Sequence, residues 1–317
     1  MHDQTSFVLG AEPLDSVVGV LVGVFDWFLR WFGVSLDVLS RALGVEMLGY
    51  PYMQRAYLAA VCVAIVGPLV GTFLVHRELS MIGDTLAHTA FAGVAVGLFV
   101  NSALSLSIPP VASALVVAVG AALLVELLVE YTDAHSDASL AIVLTGGFAL
   151  GSALITATDG GIAVGIDAYL FGSLATVSKA SVGLLVAMTI LVSALVAVAY
   201  RPLLYVTFDA TAARAVRLNV PFYNRLLVVL TAVVVVSAMQ IMGVILVAAM
   251  LVVPVVAASH VASSFKQSVL LGVVTAEFAA LSGVTAAYVY GVAAGGSIVL
   301  AAIGVYAVLG VGRIVVR

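Results

Sequence analysis

Asp84 and His88 stand four residues apart in the stretch "RELSMIGDTLAHTAFAGVAVGLF", residues 77–99, which is otherwise almost wholly apolar. At helical spacing, positions i and i+4 share one face. A carboxylate oxygen beside an imidazole nitrogen is a partial ligand set for Zn²⁺ or Mn²⁺. The spacing fits equally a buried Asp–His hydrogen bond that fixes helix packing, or an aspartate that caps the helix start after Gly83. An aspartate inside a membrane helix costs ~2.5–3.5 kcal/mol on insertion scales, so such residues face a cavity and serve a function. Two ligands hold a metal only weakly, which suits a path that must release its cargo.

Other polar residues give weaker signals. Glu277 is alone in its apolar run and is an additional pathway candidate. Glu126 and Glu130 sit toward the end of another run and read as solvated. Asp159 and Asp167 occupy "TDGGIAVGIDAYLFGS", where they either attract cations, contact a delivery protein, or act as simple loop acids. His76, His135 and His260 fall near the ends of apolar runs and read as interfacial. In "FDATAARAVRLNVP" the residue types predict a short helix over 209–218, with Asp209 as N-cap, Asn219 past its end and Pro221 blocking continuation. Such a helix between two spans suits docking onto another protein, or is an ordinary loop helix.

Enzyme signatures are missing. The chain contains no GxxxxGK[ST] phosphate loop, no HExxH zinc motif and no GxSxG nucleophile elbow. The expectation is a non-catalytic protein that binds no cofactor of its own. Any energy for transport must come from another subunit or from an ion gradient.

The elements that carry these residues are set by composition. Of 317 residues, 64% are hydrophobic and 9% charged, against about 25% charged in an ordinary soluble domain. This places the chain in a cell membrane as a multi-pass protein, with lipid rather than nucleic acid around it. Runs long enough for a hydrocarbon core of ~30 Å occur near 56–75, 80–100, 109–130, 138–157, 177–200, 222–240, 243–259, 267–290 and 296–314. The predicted fold is all-α and polytopic, with about nine transmembrane helices. Gly67-Pro68 and Pro254 predict kinks, whose freed carbonyls neighbouring helices must satisfy. Cys62 is the single cysteine, so no intrachain disulfide forms.

The basic residues orient this arrangement by the positive-inside rule. One side collects Arg77, Arg201, Arg214, Arg217, Arg225, Lys266, Arg313 and Arg317, whereas the other keeps Arg55 and Lys179. The first side is therefore read as cytoplasmic, and the first of nine spans starts outside. The N-terminal segment lacks a basic region and a small-residue cleavage site, so it does not read as a cleaved signal. Residues 1–46 form an N-terminal extension. Within it Asp15, Gly19, Gly23, Asp26, Arg30, Gly33, Asp37, Arg41 and Gly44 recur every three or four residues, which predicts an amphipathic helix over 15–44. Asp26 with Arg30, and Asp37 with Arg41, have i,i+4 spacing for ion pairs. The helix is read as peripheral or packed along the bundle, and as a tenth span if it crosses.

Five stretches, in this order, resemble the membrane permeases of zinc/manganese/iron-type ABC importers: "YPYMQRAYLAA" at 50–60, "RELSMIGDTLAHTAFAGVAVG" at 77–97, "AYLFGSLATVS" at 168–178, "FDATAARAVRLNVP" at 208–221 and "MQIMGVILVAAMLVVP" at 239–254. The similarity runs over about 47–315, which marks 47–317 as a permease domain. Ala92 stands where the family often has proline, and Glu277 matches no family position. The resemblance implies a homodimer around a central pathway for zinc, manganese or ferrous iron. It also implies two separate ATPase subunits that bind ATP, and an extracytoplasmic solute-binding protein, for which Asp159 and Asp167 are the candidate contacts. Asp84 and His88 then become pathway residues, and Asp209, Ala212, Arg214, Val216, Arg217 and Leu218 the coupling helix that meets the ATPase. The alternatives are an ABC permease for a metal chelate (siderophore, haem or cobalamin), or a proton-coupled carrier using Asp84, His88 and Glu277 as a relay.

Overall fold

The computed structural model describes residues 12–131, 136–157, 166–172 and 177–316. The described residues are helical throughout apart from turns, and eight helices are long and apolar enough to cross a membrane. The chain is thus an all-α integral membrane protein. It divides into two compact units, Met1–Arg55 and Ala56–Arg317.

In the first unit, α1 runs over Glu12–Leu43 and a single 3₁₀ turn follows at Glu46–Gly49. The expected i,i+4 ion pairs give way to other bonds. Arg30 Nε donates to the backbone carbonyl of Asp26 at 3.2 Å. Asp37 accepts 2.8 Å from the side-chain amide of Gln54, which also reaches the carbonyl of Leu48 at 3.0 Å. Trp27, Trp31, Val34 and Val38 remain exposed along the helix.

The second unit begins inside α2 (Pro51–His76) and continues with α3 (Ile82–Leu104), α4 (Pro110–Tyr131), α5 (Ser136–Thr156) and the short α6 (Ile166–Phe171). Then come α7 (Lys179–Phe208), the short α8 (Ala210–Ala215), α9 (Val220–Met242), α10 (Val244–Ser259), α11 (Phe265–Tyr290) and α12 (Ala294–Val316). Each of the nine apolar runs read from the sequence coincides with a helix. The run at 243–259 yields the shortest of them, 16 residues, or roughly 24 Å at 1.5 Å per residue. Gly243, at φ +79°, ends α9 and starts α10 without an intervening loop, and this consumes the residues that would lengthen it. Helix α3 is the hub, packed against α4, α5, α9 and α10.

The helices continue through Pro68 and Pro254. Pro254 cannot bond the carbonyl of Met250 one turn back. That carbonyl lies against Gly67 of α2, where a Cβ would stand 3.2 Å from it. One turn on, a Cβ at Gly71 would collide with the carbonyl oxygen of Leu251. Glycine at these two positions lets α2 and α10 touch backbone to backbone, the way helices associate where lipid offers no hydrophobic drive.

Overpacking of this kind costs typically 1–3 kcal/mol. Gly71→Ala is expected to lower the thermal midpoint of the detergent-solubilised protein by several degrees. Gly120→Ala, where a Cβ meets nothing within 4 Å, is expected to leave it unchanged. Equal midpoints for the two variants in a fluorescence melting assay would remove the close α2–α10 contact as a stability determinant.

Candidate functional site

Asp84 is the third residue of α3, so it sits inside the first helical turn rather than at the cap, which is Met81. There the helix dipole favours a negative charge. One turn on, His88 Nε2 lies 3.5 Å from Asp84 Oδ1. This is at the outer limit for a hydrogen bond and too long for the tight charge-assisted contact expected of a packing lock. It is close to a ligand bite: an ion bonded at ~2.1 Å to each atom separates them by about 3.0 Å at an octahedral angle and about 3.4 Å at a tetrahedral one. His88 is 20% exposed and Asp84 41%, so the imidazole is fixed in the protein while the carboxylate opens outward.

The neighbours explain how the pair is held. Phe148 of α5 stands edge-on to the His88 ring at 5.3 Å and stacks on Phe91 at 5.9 Å. Gly147 and Gly151 let α5 close on Thr89 and Phe91, with no room for a Cβ. Thr85 Oγ1 reaches the Leu140 carbonyl at 3.3 Å and stitches the first turn of α3 to α5. His88 Nδ1 is buried with no hydrogen-bond partner among the described residues.

The remaining sequence candidates do not join this pair. Glu277 lies on α11, half-buried, and no group of three potential metal ligands occurs among the described residues. Asp159 and His135 lie outside the described residues, as does the side chain of Asp167, whose backbone belongs to α6. The backbone of Leu170 and Gly172, at the end of α6, presses on Gly243, so the segment around "AYLFGS" is tied to the α9–α10 turn.

At the end of the bundle rich in basic residues, α8 is built as a capped turn. Asp209 Oδ1 accepts from the amides of Thr211 at 2.9 Å and Ala212 at 2.8 Å. The helix is shorter than the 209–218 expected, ending at Ala215 with Val216 as C-cap. Arg217 takes the left-handed conformation at φ +61°, and Leu218 returns its amide to the Ala213 carbonyl at 3.0 Å. Asn219 and Pro221 do not terminate α8. Asn219 caps the start of α9 by accepting from Phe222, and Pro221 occupies its first turn, where proline's missing N–H costs nothing. Val206, Ala213 and Val220 form a small buried cluster that joins α8 to both flanking helices. Arg214 lies in α8 and the side chain of Val216 is exposed.

One residue of this end had no signal in its own neighbourhood. Arg77, on the link between α2 and α3, is largely buried. It donates from Nε to Thr207 Oγ1 at 2.9 Å, and from its terminal nitrogens to Asn224 Oδ1 at 2.9 Å and the Leu203 carbonyl at 3.3 Å. Burial lowers its pKa to about 10, opposed by the nearby Glu126 carboxylate, so it stays cationic at neutral pH. Its partners lie 126 to 147 residues away in sequence, where no local pattern reveals them.

Comparison with known proteins agrees with this architecture. Residues 49–311 match the ABC 3 transport family. The chain is 30% identical over 259 residues to the manganese transport system membrane protein MntC of Halalkalibacterium halodurans, covering 81% of this chain and 86% of that one. It is 29% identical over 255 residues to the manganese import system permease protein ScaB of Streptococcus gordonii, covering 79% and 87%. Among solved structures, PsaBC from Streptococcus pneumoniae in complex with Fab superposes with a TM-score of 0.73 at 30% identity, over 83% of this chain and 92% of that chain. An inward-facing ABC transporter described as metal-chelate type gives 0.63 at 17% identity, over 93% and 99%, which is a likeness of fold alone. With its motifs in family order, its helices superposed and its matched region spanning the bundle, the chain belongs to the ABC 3 transport family.

Proposed function

We propose that this chain is the membrane permease subunit of an ATP-driven importer of divalent metal ions, that manganese is its best-supported cargo, and that a homodimer of it forms the pathway. The observation that carries the reading is the Asp84–His88 pair, spaced at 3.5 Å for one ion on a partly open face of α3. Zinc and ferrous iron accept the same donors. Manganese is favoured because the similar permeases MntC and ScaB carry that metal in their names. The subunit itself is non-catalytic and holds no cofactor. ATP is hydrolysed by two ATPase subunits that dock on α8 through Asp209, Ala212, Arg214, Val216, Arg217 and Leu218, and a solute-binding protein delivers the ion near Asp159 and Asp167.

The homodimer is supported by the face beside the pair. On α5, Ala141, Thr145, Ala149, Ser152 and Thr156 are exposed at helical spacing, a stripe of small residues that admits a second helix closely. A second copy packed there brings another Asp84 and His88 near the first, so two weak pairs form one four-donor site. The role of each residue follows from its chemistry. Asp84 supplies charge to compensate the dehydrating cation, and His88 supplies a neutral donor whose ring Phe148 holds in place.

The deciding measurement is total cellular metal by mass spectrometry under metal limitation, comparing the intact gene, its deletion, Asp84→Ala and His88→Ala at matched expression. A selective fall in one divalent metal, at least ~10-fold in uptake rate for the deletion and for both substitutions, is expected. Unchanged metals in the deletion would overturn the importer reading, and a loss in the deletion alone would return Asp84 and His88 to a structural role. A second outcome concerns α8. Asp209→Ala removes a cap worth about 1 kcal/mol, so amide exchange over 211–215 is expected to rise roughly fivefold with a partial loss of uptake. Asp209→Ser is expected to restore both.

A further inference from the structure

A cavity of about 440 Å³ lies between α8 with its flanking helix ends and the link from α2 to α3, lined by His76, Arg77, Glu126, Val206, Arg214 and Asn224 among others. The two sides of this space are built differently. On one side Val206, Ala213 and Val220 lock the end of α7, α8 and the start of α9 into one packed block. On the other, the link 77–81 is short and internally bonded. Arg77 donates its amide to the carbonyl of Phe73 at 3.2 Å, Glu78 to Val75 at 3.1 Å, Leu79 to Leu74 at 2.9 Å and Ile82 to Leu79 at 3.1 Å. Glu78 holds the turn in the left-handed conformation at φ +60°.

The Arg77 side chain crosses that space. It is bonded to Thr207 and Leu203 at the end of α7 and to Asn224 at the start of α9, so it grips the α8 block from both flanks. Its own backbone leads in seven residues to Asp84. The planar guanidinium fits three acceptors in fixed directions, which the single ammonium of a lysine does not reproduce. We infer that Arg77 is the positioning residue that transmits displacement of α8 to the first turn of α3, and so to the Asp84–His88 pair. The inference rests on the reading of α8 as the ATPase contact. Arg77 is thus the polar link between both flanks of α8 and the start of α3, in a space that Glu126 of α4 also lines.

The test uses the intact complex of this chain with its ATPase in liposomes, supplied with the solute-binding protein, for wild type, Arg77→Gln, Arg77→Lys and Asn224→Ala. Mn²⁺ uptake and ATP hydrolysis are measured in the same vesicles, and amide exchange over 79–90 and 209–218 is followed with and without trapped ATP. In wild type both segments are expected to change on trapping. In Arg77→Gln the change over 209–218 should persist and that over 79–90 should vanish. Ions moved per ATP should fall at least tenfold while hydrolysis stays within about twofold, with Arg77→Lys and Asn224→Ala intermediate. Retention of both exchange changes in Arg77→Gln, or proportional loss of uptake and hydrolysis, overturns the inference and leaves the metal-importer reading standing. An unresponsive 209–218 segment in wild type overturns both. Should Arg77→Gln fail to assemble, Asn224→Ala decides: an unchanged ratio of ions to ATP overturns the inference.

Discussion

Helices in lipid gain little by hiding apolar side chains from one another, because lipid tails are as apolar as leucine. The bundle therefore depends on how closely backbones approach, and several close approaches are made at residues with no side chain. Gly83 sets α3 against Ala248 and Leu251 of α10, Gly93 sets it against Ala114 of α4, and Thr89 receives Gly147 of α5. These contacts grip α3 from three sides over its first half. Asp84 and His88 lie within that gripped half, so their separation is a property of the bundle and not of a mobile loop. A packed element with so little free volume shifts as a body between discrete arrangements rather than bending.

Polar accounting bears on the site without being unique to it. Several buried hydroxyls in these helices bond to carbonyls of the preceding turn, as Thr72 does on Pro68 at 2.7 Å and Thr231 on Leu227 at 2.8 Å, whereas Ser268 Oγ, like His88 Nδ1, makes no hydrogen bond among the described residues. An imidazole can do the same, as His76 Nδ1 does with the Thr72 carbonyl at 2.8 Å, whereas His88 Nδ1 makes no such bond among the described residues. His88 makes a T-shaped contact with Phe148, has Nε2 3.5 Å from Asp84 Oδ1 and makes no hydrogen bond at Nδ1 among the described residues. The proposed ligand role of the pair rests on this arrangement.

The helices and the pair were legible in the sequence because both signals are local. An apolar run of about 20 residues has no stable option in a bilayer but a helix, and four-residue spacing puts Asp84 and His88 on one face whatever surrounds them. Asp209 was legible for the same reason, since a cap acts two or three residues away. Local rules failed where two elements compete for one residue. Asn219 and Pro221 suit the end of α8 as well as the start of α9, and the left-handed turn at Arg217 decided between them. The charges of α1 failed similarly, because Gln54, 17 residues beyond Asp37, reaches it at 2.8 Å. Arg77 was beyond any local rule: its acceptors are chosen by the packing of α7 and α9.

Within the importer reading, these features set a division of labour. A chain offering two donors cannot bind a divalent ion tightly, and a homodimer offering four is strong enough to receive the ion and weak enough to lose it when the pairs separate. Selectivity among manganese, zinc and iron does not follow from such donors, since all three metals accept carboxylate and imidazole. It must reside where the full coordination shell is assembled, in the protein that delivers the ion. On that reading, opening the site means separating two copies of α3, each packed against four neighbours, and no thermal fluctuation of one side chain accomplishes that. The work has to enter at the other end of a rigid path. The short capped α8, the apolar cluster beneath it and the arginine bonded to both of its flanks are the elements through which such work reaches α3.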